Sequence, residues 1–354
     1  MFKKIALVGL ILLGIGAAVM YPKVKLYFKS RGTTINTGMV TYLLPESKDL
    51  DQIADDLIRL GVLDDKSAFL EVGAYKHLKK SRIAAGKYEI EPDVEIRTLL
   101  NGFTLNAAGN GNAEVEVVVS FNNCRDIYQM AGKISKQLAI DSNALIAKIV
   151  NQGTLDQLGF TEKQVPALFI PDSYQFFYDT NEDEFLARMA EAFKAFWNPE
   201  RMQKLKAIGL KSPSQAVTLA SIVYSEQSKI EKEWPIIAGL YLNRLEQGIK
   251  LQSDPTFKFC WGDELIGVQR LLAKHRAIEC DYNTYQIYGL PPGPIYIPSP
   301  KVVDAVLNRE KNDYIYMCAR PDYSGYHNFT ASGKEHERNA KLFQNWLENE
   351  LKNQ

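Results

Sequence analysis

The chain has no excess of either charge: 42 Lys and Arg face 42 Asp and Glu among 354 residues. It also lacks a long basic run, so nothing in it argues for a nucleic-acid partner. Its histidines, His77, His275, His327 and His336, have no metal-ligand spacing, and none of its cysteines falls in a C-x-x-C pair. A zinc site is therefore not expected, and no cofactor is implied. What is present begins with an uncharged apolar run, residues 5–21, behind Lys3 and Lys4. It is a little short for a spanning helix but within the workable range. A signal peptide is the other reading, with Gly16-Ala17-Ala18 as a poor cleavage site. Either one targets the rest of the chain for export. In an exported chain Cys260 and Cys280 could close a short loop by a disulfide, or stay as buried thiols. Spacing leaves both open.

The length suggests two or three domains with room for a core. Residues 22–38 are polar and basic and read as a tether. Val40 to Leu44 is strand-like. Asp49 with Gln52 caps a helix whose stripe is Ile53, Leu57 and Leu60, and Gly61 stops it. A second helix covers Ser67 to His77, Gly86 to Ile90 is strand-like, and Glu95 to Asn101 is a small helix. Gly102 to Gly111 reads as a hairpin tip or linker. A strand follows over Glu114 to Phe121, then helices over Arg125 to Leu138 and Ser142 to Asn151. This order weakly echoes the first module. Ala167 to Phe176 is strand-like around a turn, and Glu182 to Trp197 is a charged amphipathic helix.

One glutamate then stands where a surface carboxylate is out of place. Ser212 is a good N-cap, Pro213 suits the first helical position, and Gln215 completes an S-x-x-Q box. Apolar residues fall at Ala216, Leu219, Ala220 and Val223, the spacing of a helix with one buried stripe. Glu226 is the next residue on that stripe. A carboxylate held against apolar neighbours has its charged form disfavoured. It can then keep its proton near neutral pH and act as a general acid. On this segment alone, a glutamate where the stripe meets solvent is the commoner arrangement.

The residues downstream change that balance. They are Asn243-Arg244-Leu245, Gly248 to Thr256 (with Leu251-Gln252-Ser253-Asp254-Pro255), Tyr282-Asn283-Thr284-Tyr285, Gly289-Leu290-Pro291-Pro292-Gly293-Pro294-Ile295 and Gly325-Tyr326-His327-Asn328-Phe329. In this order, from about residue 115 to the C-terminus, they resemble the MltG (YceG-like) family of endolytic murein transglycosylases. Many members have Glu-Lys where this chain has Tyr224-Ser225, which leaves Glu226 as the only carboxylate of that motif. The resemblance implies an α+β fold of an N-terminal transmembrane helix, a small LysM-like β-α-α-β module and a mixed α/β catalytic domain. The expected divisions are an anchor at 1–21, the tether at 22–38, the module at 39–105 and the catalytic domain at 112–350. The module would bind N-acetylglucosamine chains, or else be purely structural. Lys23, Lys25, Lys29 and Arg31 outnumber Lys3 and Lys4, which by charge alone puts the C-terminal side in the cytoplasm. That rule weakens when a long domain follows, and the resemblance implies a substrate outside. The expectation is thus a single-pass protein of the cytoplasmic membrane with a periplasmic catalytic domain.

Glycoside hydrolases use two carboxylates, and this chain offers Glu226 and, as a second, Asp254. The resemblance implies a different solution. Glu226 protonates the oxygen between N-acetylmuramic acid and N-acetylglucosamine. It then acts as a base while the sugar's own 6-hydroxyl attacks, giving a 1,6-anhydro end and consuming no water. Intramolecular attack has the proximity advantage. Gln252, Asn283 and Asn243 are amides suited to sugar recognition, or to tying down loops. Asp254 could serve the site or cap a turn, and Tyr282 and Tyr285 could stack on sugars or fill the core. Arg244 reads as an ion-pair partner near Glu226 or for Glu246, and His327 is the best histidine candidate. The expected substrate-binding set is Gln252, Asp254, Asn283, Tyr285 and His327. The expected partners are peptidoglycan strands, the membrane and, by resemblance, peptidoglycan synthases. The alternatives are a hydrolase using Glu226 with Asp254, and a non-catalytic glycan-binding scaffold.

Overall fold

The computed structural model describes residues 2–78, 82–104, 114–265, 268 and 271–352. The expected linker at Gly102 to Gly111 falls mostly outside them. The chain divides into two compact units. The first runs to Val119 and takes in Lys136–Ile140 and Tyr174–Asn181; the second holds the remainder. The architecture is mixed α+β, with short two-stranded sheets between many helices.

In the first unit, local chemistry sets the elements. Helix Leu50–Arg59 starts at Asp49, whose carboxylate accepts the Gln52 N–H at 2.9 Å while Gln52 Oε1 accepts the Asp49 N–H at 3.1 Å. This is the expected capping box, and such a cap contributes about 1 kcal/mol. Strand Val40–Leu44 pairs antiparallel with Gly86–Ile90, Val40 opposite Ile90 and Leu44 opposite Gly86. Helix Ser67–Tyr75 lies between the two strands in sequence, and Ile96–Thr104 follows. Leu44, Ile53, Leu57, Phe69 and Leu100 are fully buried in their shared core. A two-residue pair, Lys48–Asp49 with Arg82–Ile83, had no sequence signal.

The N-terminal helix is longer than the apolar run, spanning Phe2–Ser30 with Pro22 inside it. Among the described residues, no helix is long and apolar enough to cross a membrane. The stretch read as a tether carries this helix through Ser30. Beyond it, the Thr34 N–H donates to the Val94 carbonyl and the Ile35 N–H to the Val62 carbonyl, each at 2.9 Å.

The second unit is organised around helix Pro213–Glu226. Ser214 and all residues from Ala216 to Val223 are buried. The expectation of a single buried stripe is corrected here, because the helix is packed on all sides. Its neighbours are Trp234–Glu246, Asp254–Trp261, Pro300–Leu307 and the turn Val165–Leu168. Ser212 caps it, with Oγ accepting the Gln215 N–H at 3.3 Å, but the reciprocal arm lands one residue early. Gln215 Oε1 takes the Lys211 N–H at 2.8 Å. The helix expected from Arg125 begins at Ile127, because the Asp126 carboxylate caps it. Helices Gln152–Leu158 and Pro199–Ala207, each with an Asn cap, were not anticipated. Strands Tyr316–Ala319 and His327–Thr330 pair antiparallel, and helix Gly333–Lys352 ends the unit.

Candidate active site

Glu226 is the last residue of its helix and is part-buried. Its Oε1 accepts Tyr241 Oη at 2.7 Å and the Ser253 hydroxyl. Tyr241 comes from helix Trp234–Glu246 and Ser253 directly precedes helix Asp254–Trp261. Oε2 has no hydrogen-bond partner among the described residues. Burial pushes the Glu226 carboxyl up from the ordinary glutamate range. The bonds from Ser253 and Tyr241 oppose that rise, the nearby Asp254 charge adds to it, and His327 opposes it. Two donors on Oε1 leave Oε2 as the oxygen free to carry a proton. Burial and the phenol's contact with Glu226 also push Tyr241 well above its usual range, so it remains a donor.

Asp254 opens its helix two residues after Gln252, with both oxygens engaged. Oδ1 accepts Tyr285 Oη at 2.5 Å, and Oδ2 faces Arg276 Nη2 at 3.3 Å. The Arg276 guanidinium also lies over the Tyr285 ring, 5.3 Å from its centroid. Asp254 and Tyr285 are thus brought together and held beside Glu226.

Gln252 is exposed and sits at φ 53°, a left-handed conformation that costs a non-glycine residue roughly 1–2 kcal/mol. Two contacts hold it there: its N–H donates to the Thr284 carbonyl at 3.2 Å, and Oε1 accepts Arg244 Nη2 at 3.3 Å. Arg244 is buried. Its Nη1 donates to the carbonyls of Lys250 at 3.1 Å and Leu251 at 2.6 Å. It clamps the turn that delivers Ser253 and pairs with neither Glu246 nor Glu226. The ion-pair reading of Arg244 is corrected accordingly.

Asn283 is fully buried. Its amide donates to the carbonyls of Arg276 at 2.9 Å and Ile278 at 2.8 Å, and its Oδ1 accepts the Tyr285 N–H at 3.0 Å. It is spent on loop structure. So is Asn243, whose amide donates to the carbonyls of Asn312 at 2.8 Å and Tyr314 at 3.0 Å. The loop of Asn283 is further strapped by a disulfide between Cys260 and Cys280, with Cα atoms 6.3 Å apart. Cys124 and Cys318 are free thiols. His327 lies on the edge of strand His327–Thr330, with Nδ1 2.7 Å from Glu233 Oε2. Tyr282 packs against Phe259 at a centroid distance of 4.7 Å and joins the core.

Three residues of this constellation escaped sequence reasoning: Tyr241, Ser253 and Glu233. Ser253 was legible in principle, since it lies inside the motif between two candidates. Tyr241 looks like one more apolar position of a buried helix. Glu233 looks like part of a charged surface stretch with Glu231 and Lys232. Among the described residues, no cluster of His, Cys, Asp and Glu could hold a metal ion.

The model of the YceG-like family matches residues 43–342. A Bacillus subtilis protein named endolytic murein transglycosylase is 25% identical over 346 residues, covering 92% of this chain and 89% of that protein. A Streptococcus pneumoniae protein of the same name is 24% identical over 331 residues, covering 85% of this chain but 58% of that longer protein. Among solved structures, a YceG-like protein from Listeria monocytogenes matches with a TM-score of 0.51 at 20% identity, over 86% of this chain and 99% of that one. That likeness concerns the fold.

Proposed function

The chain belongs to the YceG-like family, and on that footing we propose that it is an endolytic murein transglycosylase with Glu226 as its one acid and base. The observation that carries this reading is the Glu226 carboxyl itself: desolvated, supported on Oε1 by Tyr241 and Ser253, and open at Oε2. The proton on Oε2 goes to the glycosidic oxygen between N-acetylmuramic acid and N-acetylglucosamine as the bond to the anomeric carbon breaks. The 6-hydroxyl of the same muramyl residue attacks that carbon, and its proton returns to Glu226. The new end is a 1,6-anhydro sugar, and no water is consumed. Endolytic cutting of this kind would end strand elongation and would place the enzyme beside peptidoglycan synthases in the envelope.

The hydrolase alternative needs Asp254 to activate water. Both Asp254 oxygens are already held, by Tyr285 and Arg276, which favours a positioning role. Digestion of glycan in heavy-oxygen water separates the two. We expect no label at the newly formed ends and a mass lower by one water than the hydrolytic product. Label at those ends would sink the transglycosylase reading and support the hydrolase.

The single-pass anchor is proposed on the sequence of residues 5–21 alone. A LysM-like, glycan-docking role for residues 39–105 is supported by the β-α-α-β order of Val40–Leu44, Leu50–Arg59, Ser67–Tyr75 and Gly86–Ile90. Fractionation checks both. The full chain should stay with membranes through an alkaline wash and, once released by detergent, pellet with purified insoluble glycan. Release by the wash removes the anchor, and failure to pellet removes the docking role.

A further inference from the structure

A third carboxylate, Glu233, follows Glu226 seven residues on. Glu233 is 2% exposed, and among the described residues no Lys or Arg pairs with it. Its Oε1 accepts the backbone N–H of His327 at 2.7 Å. Its Oε2 faces His327 Nδ1 at 2.7 Å and accepts Gln227 Nε2 at 2.9 Å. A buried carboxylate is tolerated as an ion only when it is paired and hydrogen-bonded. Of these donors, only the imidazole can bring a charge.

Gln227 ties this arrangement to the acid. It is the residue after Glu226, and besides Glu233 its amide reaches the Gly325 carbonyl at 2.9 Å. Its own carbonyl accepts Trp234 Nε1 at 2.6 Å, and its Oε1 accepts the N–H groups of Lys229 and Ile230, each at 3.2 Å. The end of the Glu226 helix, Glu233 and the His327 strand are therefore fixed against one another by a buried side chain. Nδ1 is committed to Glu233, while Nε2 of His327 has no partner among the described residues.

We propose that Glu233 and His327 form a carboxylate–histidine dyad that serves Glu226. Glu233 is a positioning residue that holds His327 in place and keeps its proton on Nδ1. With a second proton on Nε2, the imidazolium stabilises the Glu226 carboxylate in the interval between loss of its proton to the glycosidic oxygen and its return from the 6-hydroxyl. No proton leaves the dyad. The proposal rests on the reading of Glu226 as the acid and base. The direction of the electrostatics agrees, since the His327 charge opposes the upward push on Glu226. The other groups facing Glu226 are Tyr241, Ser253 and Asp254. Those facing the dyad are Gln227, the Phe329 ring at 6.0 Å and Arg320, whose Nε donates to the His327 carbonyl at 3.1 Å. Arg320 stays in every variant below.

The test is the pH profile of kcat/KM for wild type, Glu233→Gln, His327→Gln and the double variant. A general acid loses activity as pH rises through its titration. Without the neighbouring cation Glu226 keeps its proton longer, so the alkaline limb should move to higher pH in both single variants. We expect kcat/KM at the optimum to fall about five- to a hundredfold, the usual range for coupling between two sites. The double variant should be no worse than the worse single. A far-downfield imidazole proton resonance should be present in wild type and absent from both variants. An unmoved limb in both, or losses that multiply in the double variant, would overturn the dyad. If Glu233→Gln fails to fold, the His327→Gln limb and the proton resonance decide alone. Anhydro ends with an unmoved limb sink the dyad and leave the transglycosylase standing; reducing ends with a moved limb do the reverse.

Discussion

Glu226→Gln should abolish cleavage and leave the fold intact or more stable. The amide has the carboxyl's shape, and its Oε1 can still accept Tyr241 and Ser253. What it loses is the transferable proton. General acid–base catalysis contributes roughly 10²–10⁴-fold, so activity should drop by at least a hundredfold. A variant retaining more than about a tenth of wild-type activity would remove Glu226 from the acid's role. The stability arm has a definite sign. Glu226 is raised in the folded protein, against about 4.3 for an unfolded glutamate. Its contribution is fully present below the unfolded value and is lost as pH rises through the folded one. Wild type and variant should therefore melt alike in that respect at low pH. The variant should melt higher as pH rises, because it carries no desolvated charge. Thermal melts at several pH values check this, and a gap that opens in the other direction contradicts the burial account.

The second large effect should come from a glycine outside the left-handed region. A Cβ on Gly293 would sit 1.6 Å from the Lys163 carbonyl oxygen and 2.5 Å from its carbon. The obstacle is backbone, which cannot rotate away. Overpacking usually costs about 1–3 kcal/mol, and Gly293→Ala should exceed that range or prevent folding of the second unit. Gly289, in the same Gly-Leu-Pro-Pro-Gly-Pro loop, is the control. It has φ +83° and open space around its would-be Cβ, so alanine there meets only the left-handed penalty of roughly 1–2 kcal/mol. Denaturant melts of the two variants should rank Gly293→Ala far below Gly289→Ala. Equal losses would mean that the loop's conformation, not the close approach to Lys163, is what the glycines protect.

The same contrast shows what the sequence could and could not reveal. Caps are local, so the Asp49–Gln52 box and the Ser212 cap were legible from a few residues. The part-burial of Glu226 was legible because a carboxylate fell on an apolar stripe. Partners across the fold were not. Tyr241 Oη reaches Glu226 from fifteen residues away, on a helix whose apolar residues conceal it. Glu233 was hidden because charged neighbours made it look solvated, although the fold buries it. Asn283 and Asn243 were ambiguous for another reason. An amide in a motif can read a sugar or hold a loop, and only their backbone partners identify the second use. The all-round burial of the Glu226 helix was missed because Ser214, Thr218 and Ser221 interrupt its apolar faces. Thr218 and Ser221 return their hydroxyls to backbone carbonyls three or four residues back, so small polar residues fit a packed interior.

That packing sets the tempo of the site. Amide protons in a segment covered on every side exchange with solvent only when large parts of the structure open. Those of Leu219 to Val223 should be among the slowest in the protein. Glu226 is then carried by the most persistent part of the second unit rather than by a loop that opens first. On heating, activity and near-native structure should disappear together in this unit, with no inactive but still folded state between them.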